Sequence, residues 1–193
     1  MEPSLLAAKT IDARMISDNN RQTTAGLAES VETRWIITEE DKQLSADCMS
    51  LLTEVLVGVD IRTETDNRTQ YPRIEIWRET GGQYNDPVSV ELRLSPHNFT
   101  TNGLYRYTLP TPLNISQLRG NGTKGYRLGV YQPPDDRSVV RFYKVTGTGQ
   151  TGRVADINDN DVSKDPNDGE IVLQNSSILI HPITSMLLWL SCT

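Results

Sequence analysis

Val88-Ser89-Val90-Glu91-Leu92-Arg93-Leu94 alternates without a fault: four aliphatic residues fall on one face and Ser89, Glu91 and Arg93 on the other. A period of two is the signature of a β-strand with one side dry and one side wet, and it decides the fold class. Working outward, β-branched and aromatic segments recur at Leu51 to Asp60, Arg73 to Arg78, Leu104 to Leu109, Tyr126 to Gln132, Ser138 to Val145, Ile171 to Gln174 and Ile178 to Ile183. Turn formers separate them, among them Thr80-Gly81-Gly82, Thr101-Asn102-Gly103 and Pro133-Pro134-Asp135-Asp136. About eight strands with no helical period between them predict an all-β, antiparallel β-sandwich or jelly-roll-like fold.

The first 44 residues have a different texture: Leu5, Ala8, Ile11 and Met15 stand at helical spacing, and the polar run Ser17 to Thr24 interrupts them. Residues 1–44 are therefore expected to be a leader or linker, partly helical or disordered, and residues 45–193 the sandwich. A chain of 193 residues has room for one such domain with an extension. Hydrophobic residues make up 36%, enough for an all-β domain whose strands keep one face in water.

A net charge of -6, with scattered basic residues, argues against a nucleic-acid partner, which needs a basic face to displace counterions. The most apolar run, Ile178 to Leu190, is broken by His181-Pro182 and Thr184-Ser185, so it reads as closing strands of the core and not as a membrane insertion. No basic segment followed by an apolar run marks a signal peptide at the N-terminus.

Catalytic chemistry is sparse. His97 and His181 each neighbour a proline, outside any nucleophile or metal pattern, and no enzyme is expected. Gly147-Thr148-Gly149-Gln150-Thr151-Gly152 spells a dinucleotide fingerprint, but that motif works only by opening a helix, and no helical stripe follows. Gly120 to Gly125 lacks the spacing of a phosphate loop and reads as a turn.

Five N-x-S/T acceptors stand at Asn67, Asn98, Asn114, Asn121 and Asn175. Composition alone would supply about two, and each falls at or near a predicted turn where a glycan is tolerated. They point to an extracellular or cell-surface glycoprotein. Beside the missing signal peptide they lead us to expect a fragment of a larger secreted or membrane-tethered protein. Cys48 precedes the first expected strand and Cys192 follows the last; a disulfide between them would pin the two ends of the sandwich and, in the chain-entropy picture, contribute about 5 kcal/mol. Two unrelated thiols are the alternative.

Asp156, Asn158, Asp159, Asn160 and Asp161 crowd one short stretch with the oxygen ligands that calcium takes. A second register, Asp159, Asp161, Ser163, Asp165 and Glu170, matches the ligand spacing of an EF-hand loop, with Lys164 where glycine belongs and no flanking helix. Either calcium is the one cofactor or the stretch is a solvated polar loop.

Tyr71-Pro72-Arg73-Ile74-Glu75-Ile76-Trp77-Arg78, Asn102-Gly103-Leu104-Tyr105-Arg106-Tyr107, Leu128-Gly129-Val130-Tyr131-Gln132-Pro133-Pro134 and Ser138-Val139-Val140-Arg141-Phe142-Tyr143 occur in that order. Together they resemble the extracellular β-sandwich modules repeated in large cell-surface proteins of sponges and other simple animals, over roughly residues 45 to 190. Those modules open with a cysteine before the first strand, as Cys48 does here. The resemblance implies a noncatalytic recognition, adhesion or spacer module whose partner is a protein or glycan at the cell surface. A lectin-like, carbohydrate-binding module is the alternative, dependent on calcium or on an aromatic platform such as Trp77 and Tyr131.

Overall fold

The computed structural model describes residues 24–44, 50–94, 103–115, 123–157, 160–165, 167 and 170–186. They form an antiparallel β-sandwich of eleven strands: β1 (Thr24–Gly26), β2 (Thr33–Ile37), β3 (Ser50–Ile61), β4 (Arg73–Thr80), β5 (Gln83–Glu91), β6 (Gly103–Asn114), β7 (Thr123–Gln132), β8 (Val140–Ala155), β9 (Val162–Ser163), β10 (Val172–Ile178) and β11 (Ile180–Met186). The order is β11-β3-β8-β2-β7-β4-β5-β9, with β1 and β10 also on β8 and β6 on β3. Among the described residues no helix is long and apolar enough to cross a membrane.

Two layers share one long strand. Val140 to Phe142 of β8 pair with the end of β3, whereas Thr151 to Ala155 pair with β2 in the larger layer. The chain passes between layers at Leu179: β10 runs along β8, β11 runs along β3, and Leu179 donates to Tyr143 O (2.9 Å) while accepting from Gly58 N–H (2.7 Å). Gly58 is required there, because a Cβ at that position would lie 2.8 Å from the Leu179 Cβ. Pro182 is accommodated because β11 has no described strand on its outer edge.

The core lies between the layers, where alternate residues of each strand meet. Trp35 and Ile37 of β2, Ile74 and Ile76 of β4, and Leu128 and Val130 of β7 pack with Val55, Val57 and Val59 of β3. The stretch that decided the fold class obeys its alternation, with Leu92 and Leu94 buried and Glu91 and Arg93 exposed. Its strand begins earlier than expected, at Gln83, because Gly81 and Gly82 at φ 57° and 94° close a hairpin. Pro87 is passed through where the register shifts between Ile76 and Arg78.

Residues 24–44 correct the expected division of the chain. In place of a leader they supply β1 and β2, and every residue of Thr33–Ile37 is buried between β7 and β8. The apolar-polar rhythm of Thr33-Arg34-Trp35-Ile36-Ile37 hides this strand because both of its faces are covered. A second, smaller cluster of Ile36, Trp77, Tyr84, Val154, Val162 and Ile171 sits on the outer face of the larger layer. The excursion after β8 folds back to cover it, so that layer is dry on part of both faces.

Candidate functional site

One row of residues crosses four strands of the larger layer: Arg34 lies opposite Tyr131, Tyr131 opposite Arg73, and Arg73 opposite Glu91. Parity places them on the outer face, since their neighbours Trp35, Ile74, Val90 and Val130 point into the core. At the open end of this row is a groove of about 440 Å³ whose walls include Gln70, Tyr71, Arg73, Glu91, Arg93 and Tyr131.

Each tyrosine carries an arginine. The Arg73 guanidinium lies 4.2 Å from the centre of the Tyr131 ring, and that of Arg93 lies 5.9 Å from Tyr71. The phenols are anchored at the rim, Tyr131 donating to Glu32 (2.5 Å) and Tyr71 to Glu64 (2.5 Å). Burial, then the bond to Glu32, pushes Tyr131 up to about 12. Arg93 forms an exposed pair with Glu91 at 2.7 Å, and its backbone N–H donates to the Tyr107 hydroxyl (3.3 Å). Among the described residues, Arg73 makes no ion pair.

Beneath the groove the charges are committed to structure. Arg34 pairs with Glu75 at 3.2 Å, both buried, and the Trp77 indole N–H donates to Glu75 (3.1 Å). Burial raises the Glu75 pKa against the opposing pull of Arg34. Further along the face, Glu79 accepts from Arg127 (2.8 Å), Lys164 (2.5 Å) and Gln43 (2.9 Å). Burial pushes its carboxyl upward, but the bonds from Lys164 and Arg127 prevail and hold it below the ordinary range. Lys164, which stands where an EF-hand loop would have glycine, thus fastens the excursion to the sheet.

The acidic stretch belongs to this excursion. Asp156, exposed at φ 55°, donates its backbone N–H to Glu32 O (3.1 Å), and Asp161 accepts from the Asp86 backbone N–H (3.4 Å). Asn160 is exposed, and Asn158 and Asp159 lie outside the described residues. Among the described residues no three His, Cys, Asp or Glu side chains are grouped to hold a metal. In the second register Glu170 accepts from the Ser163 N–H (2.7 Å), and Asp165 accepts from the Asn167 N–H (2.9 Å), so both serve their own loop.

Asn67 is exposed in a turn; Asn175 is exposed at the register shift of β10, and Asn114 is half-buried at the end of β6. Asn98, Asn121, Cys48, Cys192 and His97 lie outside the described residues, and His181 is exposed on β11. Two of the three glycines of the dinucleotide fingerprint, Gly147 and Gly149, take φ 87° and 68° in the middle of β8, opposite the β10 shift. They make an irregularity in a strand and open no helix. Trp77 is fully buried and serves as no platform, whereas Tyr131 does face the groove. Arg73, Arg93 and Tyr71 escaped the sequence reading, because only the pairing of β4 with β5 and β7 brings them to Tyr131.

No family model matches the chain, and no curated protein or solved structure matches it.

Proposed function

We propose that the chain is a noncatalytic recognition module of a cell-surface or secreted protein, and that its binding surface is the arginine-tyrosine groove. The observation that carries this reading is Arg73: a guanidinium in a concave site, laid on an aromatic ring 4.2 Å away and, among the described residues, in no ion pair. Guanidiniums, phenols and an amide are groups that hold a partner, and planar stacking reduces the entropy lost when they do so. The adhesive, extracellular setting is supported by the five acceptor sequons, two of which, Asn67 and Asn175, are exposed.

The test is expression through a secretory pathway, followed by deglycosylation, thiol counting and binding of the labelled protein to intact cells. The reading expects glycan at Asn67 and Asn175, no free thiol, and cell binding that Arg73→Ala removes. Unmodified asparagines and two free thiols would overturn the extracellular setting. Cell binding unchanged in Arg73→Ala would overturn the groove.

A further inference from the structure

Resting on that reading, we infer that the groove takes a saccharide bearing a single carboxylate, held by Arg73 and completed by Arg93. The charges around the groove set this choice. Arg73 is attracted by the buried Glu75 carboxylate but makes no ion pair among the described residues, so its guanidinium fork can match one ligand carboxylate by two parallel hydrogen bonds. Glu91 at the wall and Glu32 and Glu64 at the rim surround it, each already bonded to Arg93, Tyr131 or Tyr71. Three carboxylates disfavour a densely sulfated polyanion, whose extra charges would meet them, and leave room for one.

The remaining wall chemistry favours a sugar over a peptide. Thr69 and Gln70 offer hydroxyl and amide groups to ring hydroxyls, and about 440 Å³ is within the range of small-molecule sites. A peptide recognised as an added strand would need an open sheet edge. Here the strands that carry Arg73 and Tyr131 are paired on both sides: β4 with β5 and β7, and β7 with β2 and β4. At Arg73 and Tyr131, then, recognition comes from side chains, and the edge of β5 beyond Tyr84, which has no described partner, is what the peptide probe tests.

Arg93 supplies the second contact by exchange. Its pair with Glu91 is exposed on both sides, and such pairs hold weakly enough for a ligand carboxylate to replace Glu91. Removing the Glu91 charge should consequently tighten binding, the opposite of what a purely structural role for that pair would produce.

The experiment is an NMR titration of the intact protein with sialyllactose, a hyaluronan disaccharide, lactose, a heparin tetrasaccharide and a glutamate-rich peptide. Binding of sialyllactose or hyaluronan is expected to shift the Arg73 and Arg93 side-chain signals, the two probes separating a sialic from a uronic carboxylate. Arg73→Ala should weaken it by about tenfold or more. Arg73→Lys, which keeps the charge and loses the fork, should weaken it severalfold, and Glu91→Gln should strengthen it severalfold. Thermal melts of the variants confirm that they fold. Binding of lactose as tight as sialyllactose, preference for heparin or the peptide, or no saccharide binding would each overturn the inference. If cell binding is then lost in Arg73→Ala but survives enzymatic removal of acidic sugars, the recognition reading stands without it; if cell binding never depended on the groove, both fall.

Discussion

Gly129 lies under the buried indole of Trp77, and replacing it with alanine tests the packing on which the whole outer face rests. A Cβ at residue 129 would stand 2.9 Å from Trp35 O, 3.1 Å from Trp77 Nε1 and 3.2 Å from Trp77 Cδ1. The carbonyl cannot yield, because β2 is paired on one edge to β7 and on the other to β8. The indole must move instead, which disturbs its N–H bond to Glu75 at 3.1 Å and its contact with Arg34, whose guanidinium is 5.1 Å from its ring. Overpacking of this kind costs about 1–3 kcal/mol. Weakening a hydrogen bond to a charged group adds up to about 1.5–3 kcal/mol. Against this, alanine restricts the unfolded chain by about 0.4–1 kcal/mol. The net destabilisation is about 1.5–5.5 kcal/mol, a fall in Tm of roughly 3–20 °C for a chain of this size. Circular dichroism melts in the far and near ultraviolet measure it. The smaller ring of Trp77→Phe should make room for the methyl, so the double variant should show a coupling of at least about 0.5 kcal/mol. A Tm within about 1 °C of the parent, or strict additivity in the double variant, would refute the placement of Trp77 over Gly129.

Three further outcomes are expected. Glu79 is held below its ordinary value of 4.5, so its contribution to stability is present above that value and lost as pH falls through the folded pKa. Glu75 is raised, so its contribution is present below 4.5 and lost as pH rises through the folded pKa. Denaturant titrations across this range should therefore show a shallower acid loss in Glu79→Gln and a steeper one in Glu75→Gln; identical profiles would contradict the opposite signs. Tyr84 and Tyr131 are both pushed up to about 12, chiefly by burial, so stability should fall as pH rises from the ordinary value of 10 toward 12. Phenolate absorbance should then appear together with unfolding, and titration of all tyrosines near pH 10 in the folded protein would count against it. Millimolar calcium should leave the melt in chelator unchanged, because Asp161, Asp165 and Glu170 already accept hydrogen bonds within the fold. Saturation at a hundredfold excess over Kd would instead stabilise by about 2.7 kcal/mol. A shift of that size abolished by Asp159→Ala would show that the acidic stretch is a metal site.

The sheet-forming segments were legible wherever one face stayed wet. Val88 to Leu94 shows its period openly because Ser89, Glu91 and Arg93 remain in water while Leu92 and Leu94 are buried. β2 was not legible, because Arg34 and Ile36 lie on its outer face under a second layer of packing, which removes the alternation between apolar and polar. Arg34 looks like a solvent residue until Glu75, forty-one positions away, is placed beside it. Lys164 likewise reads as a defect in a calcium loop until Glu79 stands opposite it. The groove was hidden for the same reason: Tyr71-Pro72-Arg73 and Tyr131 are ordinary strand residues until register makes neighbours of them.

By itself the sequence determined the all-β class, most of the strands, the turns at Gly81-Gly82 and Pro133 to Asp136, and that the glycine fingerprint opens no helix at Gly152. These follow from local rules, since period, chirality and turn chemistry act over a few neighbouring residues. The tertiary structure alone decided that β8 serves both layers and that the outer face carries buried ion pairs. It also decided that Arg73 meets Tyr131 at the mouth of a groove. Those depend on which strands pair and in what register, and register is set by the burial of many side chains at once.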